Sequence, residues 1–543
     1  MARPGLKRHP LPLAAAVFLA CFLSLLPGLG RPVVSRIQEL RVAVTAQHMA
    51  GGGSWLVPTF RSEPRLRKPP LEYWIVAAAL KLAGDARSAL AARLPNALMA
   101  SLLATALYAG GASLIGRRRA LLAAAAGAAS ALFQRYARVA ETDIPLALFT
   151  TISMLSLYAA LCGRRETHAW LCAGAFAGLG FMAKGLAALA VPLLTLIVFV
   201  ALTPAARRRL ASWRPLTAVL LFLAVAAPWY VLLLILPGVR ETTLTAAGHE
   251  LHTLATEGLH ANPWYFYLHR VPLLLIPWGP LLLFALVDAA WRGRRHQNQR
   301  FLACWFFVTL VELSLLPNKQ DHYILLLLPP AALLLGCYLG HALAHRASFH
   351  GRLVRGYAVL LVALATLAVP ALLIAPVREP SFPSAGFCVL AAAVAALAWA
   401  GWVAVRRRAL ARSVVIVWAA AALVMPARIF LGDNADRGVS LIPELLRHAE
   451  PYVATAPGVY YYGSRKAKDI VDFYLGRESV PIADLSTRLR PLAGGSVVLA
   501  AAKKSNIPDL SDCRGEVRFD QTRHSLRCVL ITMPGADAEP TSR

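Results

Sequence analysis

Residues 184–209 read KGLAALAVPLLTLIVFVALTPAARRR, a run of 22 uncharged residues from Gly185 to Ala206 between one lysine and three consecutive arginines. A helix crossing a bilayer needs roughly 20 apolar residues. A basic cluster at one end of such a run marks the side that stays in the cytoplasm. The same pattern recurs along the chain. About 13 candidate spans can be placed by this criterion, near residues 11–29, 88–115, 120–135, 144–162, 168–183, 185–203, 214–236, 270–291, 300–316, 322–343, 353–376, 384–405 and 411–431. Leu71–Gly84 is apolar but short, and reads as an interfacial or re-entrant helix.

Composition agrees. Of 543 residues 58% are hydrophobic and 15% charged, where soluble domains carry about 25% charged residues. A single soluble domain is thereby excluded. The 56 Lys and Arg against 28 Asp and Glu give a net charge of +28. These basic residues lie in short clusters between apolar runs, so the charge belongs to a polytopic membrane protein with membrane lipids as neighbours, and nucleic acid is not a partner. Leu11–Leu26 after Arg3, Lys7 and Arg8 resembles a signal peptide, but no small-x-small cleavage site follows, which favours an uncleaved first helix.

Arg117–Arg119, Arg164–Arg165, Arg207–Arg209, Arg292 with Arg294 and Arg295, His345–Arg346 with Arg352 and Arg355, and Arg406–Arg408 all fall on the side of the N-terminus. That side is cytoplasmic. The opposite, extracytoplasmic side receives the loop 30–87, the short loop around Asp143, the junction at Lys184, the loop 237–269, the Asn318–Tyr323 turn and the C-terminal tail. Residues 1–431 are thus expected to form the membrane domain. Residues 432–543, where strand and helix patterns alternate, are expected to form a C-terminal extracytoplasmic α/β domain, with Pro534–Arg543 disordered. There is no internal repeat. None of the eight cysteines forms a Cys-x-x-Cys pair, and Cys513 and Cys528 in the tail suit a disulfide if that face is oxidising.

The external loops carry the chemistry. Glu39 lies on a helix-like stretch from Ser35 to Met49 near the membrane surface, and Lys68-Pro69-Pro70 forms a fixed cationic corner. Together they suggest general-base chemistry beside an anionic lipid headgroup. Glu39 equally suits an ion pair with Arg36 or Arg41 on a solvated helix face. Asp143 before Ile144-Pro145 can cap the next helix, and Lys68 and Lys184 can snorkel. Tyr323 suits an aromatic belt. His249, Glu250, His252, Glu257 and His260 sit in the loop 237–269, which can act as a lid. Their spacing matches no standard helical metal motif. No cofactor is required by the sequence, no metal ligand is assigned, and a divalent metal stays open.

The stretch Glu39-Leu40-Arg41 through Met49, Trp55-Leu56-Val57-Pro58 and Lys68-Pro-Pro-Leu-Glu-Tyr-Trp74 resembles the first periplasmic loop of the lipid-linked-sugar glycosyltransferases of the protein-mannosyltransferase and aminoarabinose (lipid A) transferase type, whose multi-span architecture is called GT-C. Further matches follow in order: Glu141–Leu146, Gly180–Gly185, Pro228–Tyr230, Asn262–Tyr265, Pro277-Trp278 and Asn318–Tyr323. The resemblance covers residues 10–345. It implies an enzyme that moves a sugar from a polyprenyl-phosphate carrier to a lipid, glycan or protein acceptor at the periplasmic face. It also implies a carboxylate to activate the acceptor and cations to stabilise the departing phosphate. Carried over by position, Asp143 and Glu39 are the candidate catalytic carboxylates, and Lys68, Lys184, Arg41, Lys319, His322 and Tyr323 the candidate phosphate or substrate ligands. Where the aminoarabinose-transferase pattern has Asp-Glu, this chain has Gln38-Glu39, and where that pattern has Glu before the lysine it has Arg67. Gln cannot serve as a base, so a first-loop carboxylate base must be Glu39, and the difference suggests a sibling branch with another sugar or acceptor.

Two other readings use the same residues. A transporter or flippase for a lipid-linked saccharide should carry ionisable groups in mid-span or broken helices in corresponding halves; here Glu312 is the main mid-span charge. A catalytically silent carrier-binding protein draws its support from Gln38.

Overall fold

The computed structural model describes residues 11–30, 34–164, 166–255, 262–378, 394–397, 399–403, 441–476, 478–482, 492, 496–507, 516–523 and 526–533. Expected spans 384–405 (in large part) and 411–431, Arg406–Arg408, Cys513, Glu257, His260 and Pro534–Arg543 lie outside the described residues. Two compact units emerge. One comprises Met1–Pro27, Leu66–Glu72 and Asn96–Ala427; the other comprises Gly28–Arg65, Tyr73–Pro95 and Arg428–Arg543.

The helices, in chain order, are α1 (Leu11–Leu25), α2 (Ile37–Ala50), α3 (Leu71–Ala83), α4 (Ala89–Ile115), α5 (Arg117–Ala129), α6 (Ala131–Tyr136), α7 (Asp143–Leu161), α8 (Glu166–Lys184), α9 (Ala187–Ala201), α10 (Pro204–Leu210), α11 (Arg214–Ile235), α12 (Arg240–Ala255), α13 (Phe266–Leu274), α14 (Gly279–Arg292), α15 (Gln297–Leu315), α16 (Leu328–Ala344), α17 (Phe349–Arg378), α18 (Leu441–Val453) and α19 (Arg465–Leu475).

Helices α4, which belongs to the first unit from Asn96 onward, α7 and α11 are long and apolar enough to cross a membrane, and α13 with α14 makes a fourth such segment if the pair, bent by 117°, counts as one. The helices α1, α9 and α16 are apolar but shorter. Expected span 270–291 is therefore bent, because Pro272 and Pro277 withhold the N–H groups that would continue the ladder. Expected span 120–135 is likewise broken into α5 and α6 at Ser130, whose hydroxyl accepts from the Phe133 amide and caps the second piece. Helix α7 runs through the interior, whereas α11 leaves Leu216, Leu220, Leu223, Val231 and Ile235 exposed. A helix apolar on every face and little buried by protein is one that lipid covers. Packing of α8 against α11 depends on Gly174, where an added Cβ would lie 2.0 Å from the Ala218 carbonyl oxygen.

Helices α7 and α8 are antiparallel, so Asp143 and Lys184 share one end of the unit and Glu166 marks the other. At that other end Glu166 Oε2 accepts from Arg209 Nη1 at 2.9 Å and Arg214 Nη1 at 2.7 Å. Loops that the charge pattern assigns to one face meet in space at each end.

The second unit contains a five-stranded sheet of β3 (Val459–Gly463), β4 (Val480–Pro481), β5 (Val497–Lys503), β6 (Glu516–Arg523) and β7 (Leu526–Thr532), after a small hairpin of β1 (Thr59–Phe60) and β2 (Glu63–Pro64). Its order is β4-β3-β5-β7-β6, parallel through the first three strands and antiparallel at β7 and β6. One core joins first-loop residues Val34, Leu40 and Ala43 to Ile442, Phe473 and Leu530. Gln47 Nε2 donates to the Phe473 carbonyl at 2.7 Å, and Arg61 forms a two-point pair with Asp469 at 2.8 Å in each bond. Cys528 is buried in β7.

Candidate active site

The turn between α6 and α7 is built around Asn96 of α4. Its Nδ2 donates to the Val139 carbonyl at 2.5 Å and to the Glu141 carbonyl at 2.8 Å, and the Glu141 amide closes on Val139 O at 3.0 Å. This fixes Thr142 and starts α7 at Asp143. Pro145 is tolerated there because first-turn amides have no partner within the helix, and a carboxylate in the first turn faces the positive end of the helix dipole.

Asp143 Oδ1 accepts a short hydrogen bond from Lys184 Nζ. The lysine ends α8, and Gly185 follows at φ +70°, the left-handed conformation that stops the helix without a Cβ penalty. His322 Nε2 lies 3.9 Å from the same carboxylate oxygen. A single 3-10 segment, Asp321–Leu326, presents His322 and Tyr323 together, with their rings edge to face at 4.7 Å. Lys184 Nζ stands 4.9 Å from the Tyr323 ring centroid, within cation–π range. Lys68 is half-buried, and its charge is felt at Asp143.

Asp143, Lys184, His322, Tyr323 and Lys68 therefore come together in the first unit. The other expected residues are placed differently. Lys319 is buried, and its Nζ donates to the backbone carbonyls of Asn262 at 3.0 Å and Leu316 at 2.6 Å, pinning the turn before Trp264 to the segment that carries His322. Glu39 belongs to the second unit with Arg41. It is 1% exposed, and both of its oxygens accept from Arg93, at 2.6 Å from Nε and 3.1 Å from Nη2. Arg93 also donates to the Leu29 carbonyl at 3.1 Å. In a buried two-point pair of this kind, removing one partner strands the other charge, at a cost of about 3–5 kcal/mol. Arg93→Met is expected to destabilise the protein by that amount, and Arg93→Met with Glu39→Met to recover much of it. Denaturant titration of the purified variants measures both.

Glu72, Asn96 and Glu141 complete the surroundings of Asp143 and were not singled out for a role by the sequence. Glu72 follows Leu71 at the start of α3 and is 0% exposed. Burial first, then the Asp143 and Glu141 carboxylates, hold its carboxyl well above the usual carboxylate range. The only trace in the sequence is an acid placed at the head of an otherwise apolar helix. In the same unit, an open cleft of about 440 Å³ is lined by Arg67, Glu241, Thr242, Thr245, Ala246 and His249. Among the described residues no group of three or more His, Cys, Asp or Glu side chains is arranged to hold a metal ion.

The arrangement offers a carboxylate backed by two lysines and a histidine. It can accept a proton from a nucleophile and receive an anion at the cations.

Residues 67–232 match the sequence model of the family described as dolichyl-phosphate-mannose-protein mannosyltransferase. An undecaprenyl phosphate-alpha-4-amino-4-deoxy-L-arabinose arabinosyl transferase of Pseudomonas aeruginosa strain UCBPP-PA14 is 31% identical over 372 residues, which is 67% of this chain and 65% of that protein's length. The corresponding transferase 1 of Pseudomonas fluorescens strain Pf0-1 is 25% identical over 92% of this chain and 82% of its own. The crystal structure of ArnT from Cupriavidus metallidurans bound to undecaprenyl phosphate superimposes on 96% of this chain and 97% of its own, with a TM-score of 0.72 at 20% identity. The chain has that fold, the helical GT-C architecture.

Proposed function

We propose that this chain is an integral membrane glycosyltransferase that moves a sugar from a polyprenyl-phosphate carrier to a lipid, glycan or protein acceptor at the periplasmic face of the inner membrane. The observation that carries the reading is the Asp143 carboxylate held by Lys184 and His322, with Lys68 in its field. Three loops that charge patterning assigns to one face of the membrane converge on it. The relatives that are named as undecaprenyl-phosphate sugar transferases support the same chemistry. In this reading the chain crosses the bilayer about 13 times, with its N-terminus cytoplasmic and the tail from residue 432 periplasmic. The lipid A modification implied by the family resemblance is one form of the acceptor.

Lys184 and Lys68 attract the carrier phosphate, and His322 adds a donor beside them. As the bond between the sugar anomeric carbon and the phosphate oxygen breaks, negative charge grows on that oxygen, and the lysines stabilise it. The acceptor hydroxyl forms the new bond to the anomeric carbon, and its proton passes to Asp143. Polyprenyl phosphate leaves. The two-residue replacement at Gln38 and Arg67 is why the sugar and acceptor are left at the level of chemical class.

The test is a transfer assay: purified protein in liposomes, a panel of radiolabelled polyprenyl-phosphate sugars, and total envelope lipid and protein as acceptors. Label reaching an acceptor supports the transferase. No transfer from any donor, with labelled carrier still bound in a Lys68-dependent manner, moves the assignment to carrier binding or flipping.

A further inference from the structure

The segment that carries His322 and Tyr323 begins at Gln320, whose carbonyl accepts from the Tyr323 amide at 3.2 Å and closes the first 3-10 turn. The Gln320 side chain makes no capping bond. Instead one phenol, from Tyr267 in the first turn of α13, holds the Gln320 backbone from both sides. The Gln320 amide donates to Tyr267 Oη at 3.1 Å, and Tyr267 Oη donates to the Gln320 carbonyl at 3.2 Å. A second reciprocal pair lies one residue earlier. Asn262 Nδ2 donates to the Lys319 carbonyl at 3.2 Å, and Lys319 Nζ donates to the Asn262 carbonyl at 3.0 Å. Arg270 and Asp321 add an ion pair at 3.6 Å, partly exposed and worth little by itself. The stretch 262–270 is thus tied to 319, 320 and 321 in succession, and His322 is the next residue.

Tyr267 is 0% exposed and Lys319 5%. Two of the three Lys319 ammonium hydrogens go to the Asn262 and Leu316 carbonyls. These side chains are built into the backbone of the turn. We propose that Tyr267, together with Asn262 and Lys319, is a positioning residue that acts through the Gln320 backbone to set His322 and Tyr323. Without the phenol oxygen the turn loses both of its bonds to α13. The imidazole, 3.9 Å from Asp143 Oδ1 and edge to face with Tyr323, then loses its fixed place. Lys319 is accordingly a strut of the site, where the family resemblance implied a ligand. This deepens the carrier-phosphate site proposed above and rests on that reading.

Two measurements test the assignment. The first needs no substrate: nuclear magnetic resonance of ring-labelled histidines in micelles, with the His322 signal identified as the one absent from His322→Gln. Tyr267→Phe removes one oxygen and keeps the ring, and it should move or broaden that signal. The second is binding of labelled undecaprenyl phosphate to protein in liposomes. Tyr267→Phe and Lys319→Met should each weaken it about fivefold, the scale of a lost hydrogen bond. Tyr267→Phe added to His322→Gln with Tyr323→Phe should cost nothing further, because the groups it sets are gone. An unmoved His322 signal in folded Tyr267→Phe overturns the proposal. So does a Tyr267→Phe effect that is equally large on the His322→Gln, Tyr323→Phe background. Loss of binding in Lys319→Met with Tyr267→Phe unaffected also overturns it, since Lys319 would then be a ligand. A wild type that binds no carrier defeats the carrier reading, while the histidine signal still decides the positioning role, so the two fail separately.

Discussion

Asp143→Asn is expected to lower sugar transfer by roughly 10²- to 10⁴-fold, the range that positioned proton-transfer groups supply. Asparagine keeps the size of the side chain and an oxygen that can accept from Lys184 Nζ, so the variant removes charge and basicity while sparing most of the geometry. The loss should appear mainly in kcat. In the proposed mechanism the carrier phosphate binds to Lys68, Lys184 and His322, and removing a neighbouring negative charge leaves those cations at least as attractive to an anion. Equilibrium binding of labelled carrier to the inactive variant, measured beside single-turnover transfer, checks both halves. A variant that transfers at the wild-type rate would remove Asp143 from the chemistry.

Lys184→Met should be the most damaging single change to the site, because it acts on stability and on chemistry together. Asp143 is buried and loses the partner of its shortest hydrogen bond; an uncompensated buried charge costs about 3–5 kcal/mol. The same substitution deletes a cation held against the Tyr323 ring, where the proposed mechanism places the departing phosphate. Combining Lys184→Met with Asp143→Asn should restore most of the stability, since neither charge is then stranded, and should restore none of the transfer. Unfolding titrations in mixed micelles read the first effect and the liposome assay the second. If the double variant is no more stable than Lys184→Met alone, the pair is not coupled as its geometry indicates.

The residues of the cluster differ in how visible they are in the sequence. Asp143, Lys184, His322 and Tyr323 each stand at the edge of an apolar run, where a polar residue has to be accounted for, and the alternation of basic clusters gives them a common face. What brings them within a few ångströms is packing among α7, α8 and the 3-10 segment, which no local pattern encodes. Glu39 shows the opposite limit. An acid near the membrane surface in a loop rich in polar motifs suggests general-base chemistry, and the loop does not show the partner its side chain turns to, Arg93, 54 residues further along. Lys319 is similar, because its partners are backbone carbonyls, and these leave no mark on composition. Glu72 and Asn96 read in the sequence only as two polar residues in apolar helices; their place around Asp143 comes from packing. The breaks at Ser130 and between α13 and α14 were missed for a related reason. Hydropathy registers a long apolar stretch and is insensitive to a capping hydroxyl or a pair of prolines within it.

The core shared by the first loop and the last strands imposes an order of events during biosynthesis. Val34, Leu40 and Ala43 leave the ribosome about 430 to 500 residues before Phe473 and Leu530, which complete their packing; at roughly 5–20 residues per second that interval is tens of seconds or more. For that time Gln47 waits for the Phe473 carbonyl and Arg61 for Asp469. The segment therefore spends its first moments as an unfinished surface with exposed apolar positions, a state prone to capture by chaperones and proteases. A chain that stops short of β7 would leave it in that condition permanently, so nonsense mutations close to the C-terminus should resemble loss of the first loop.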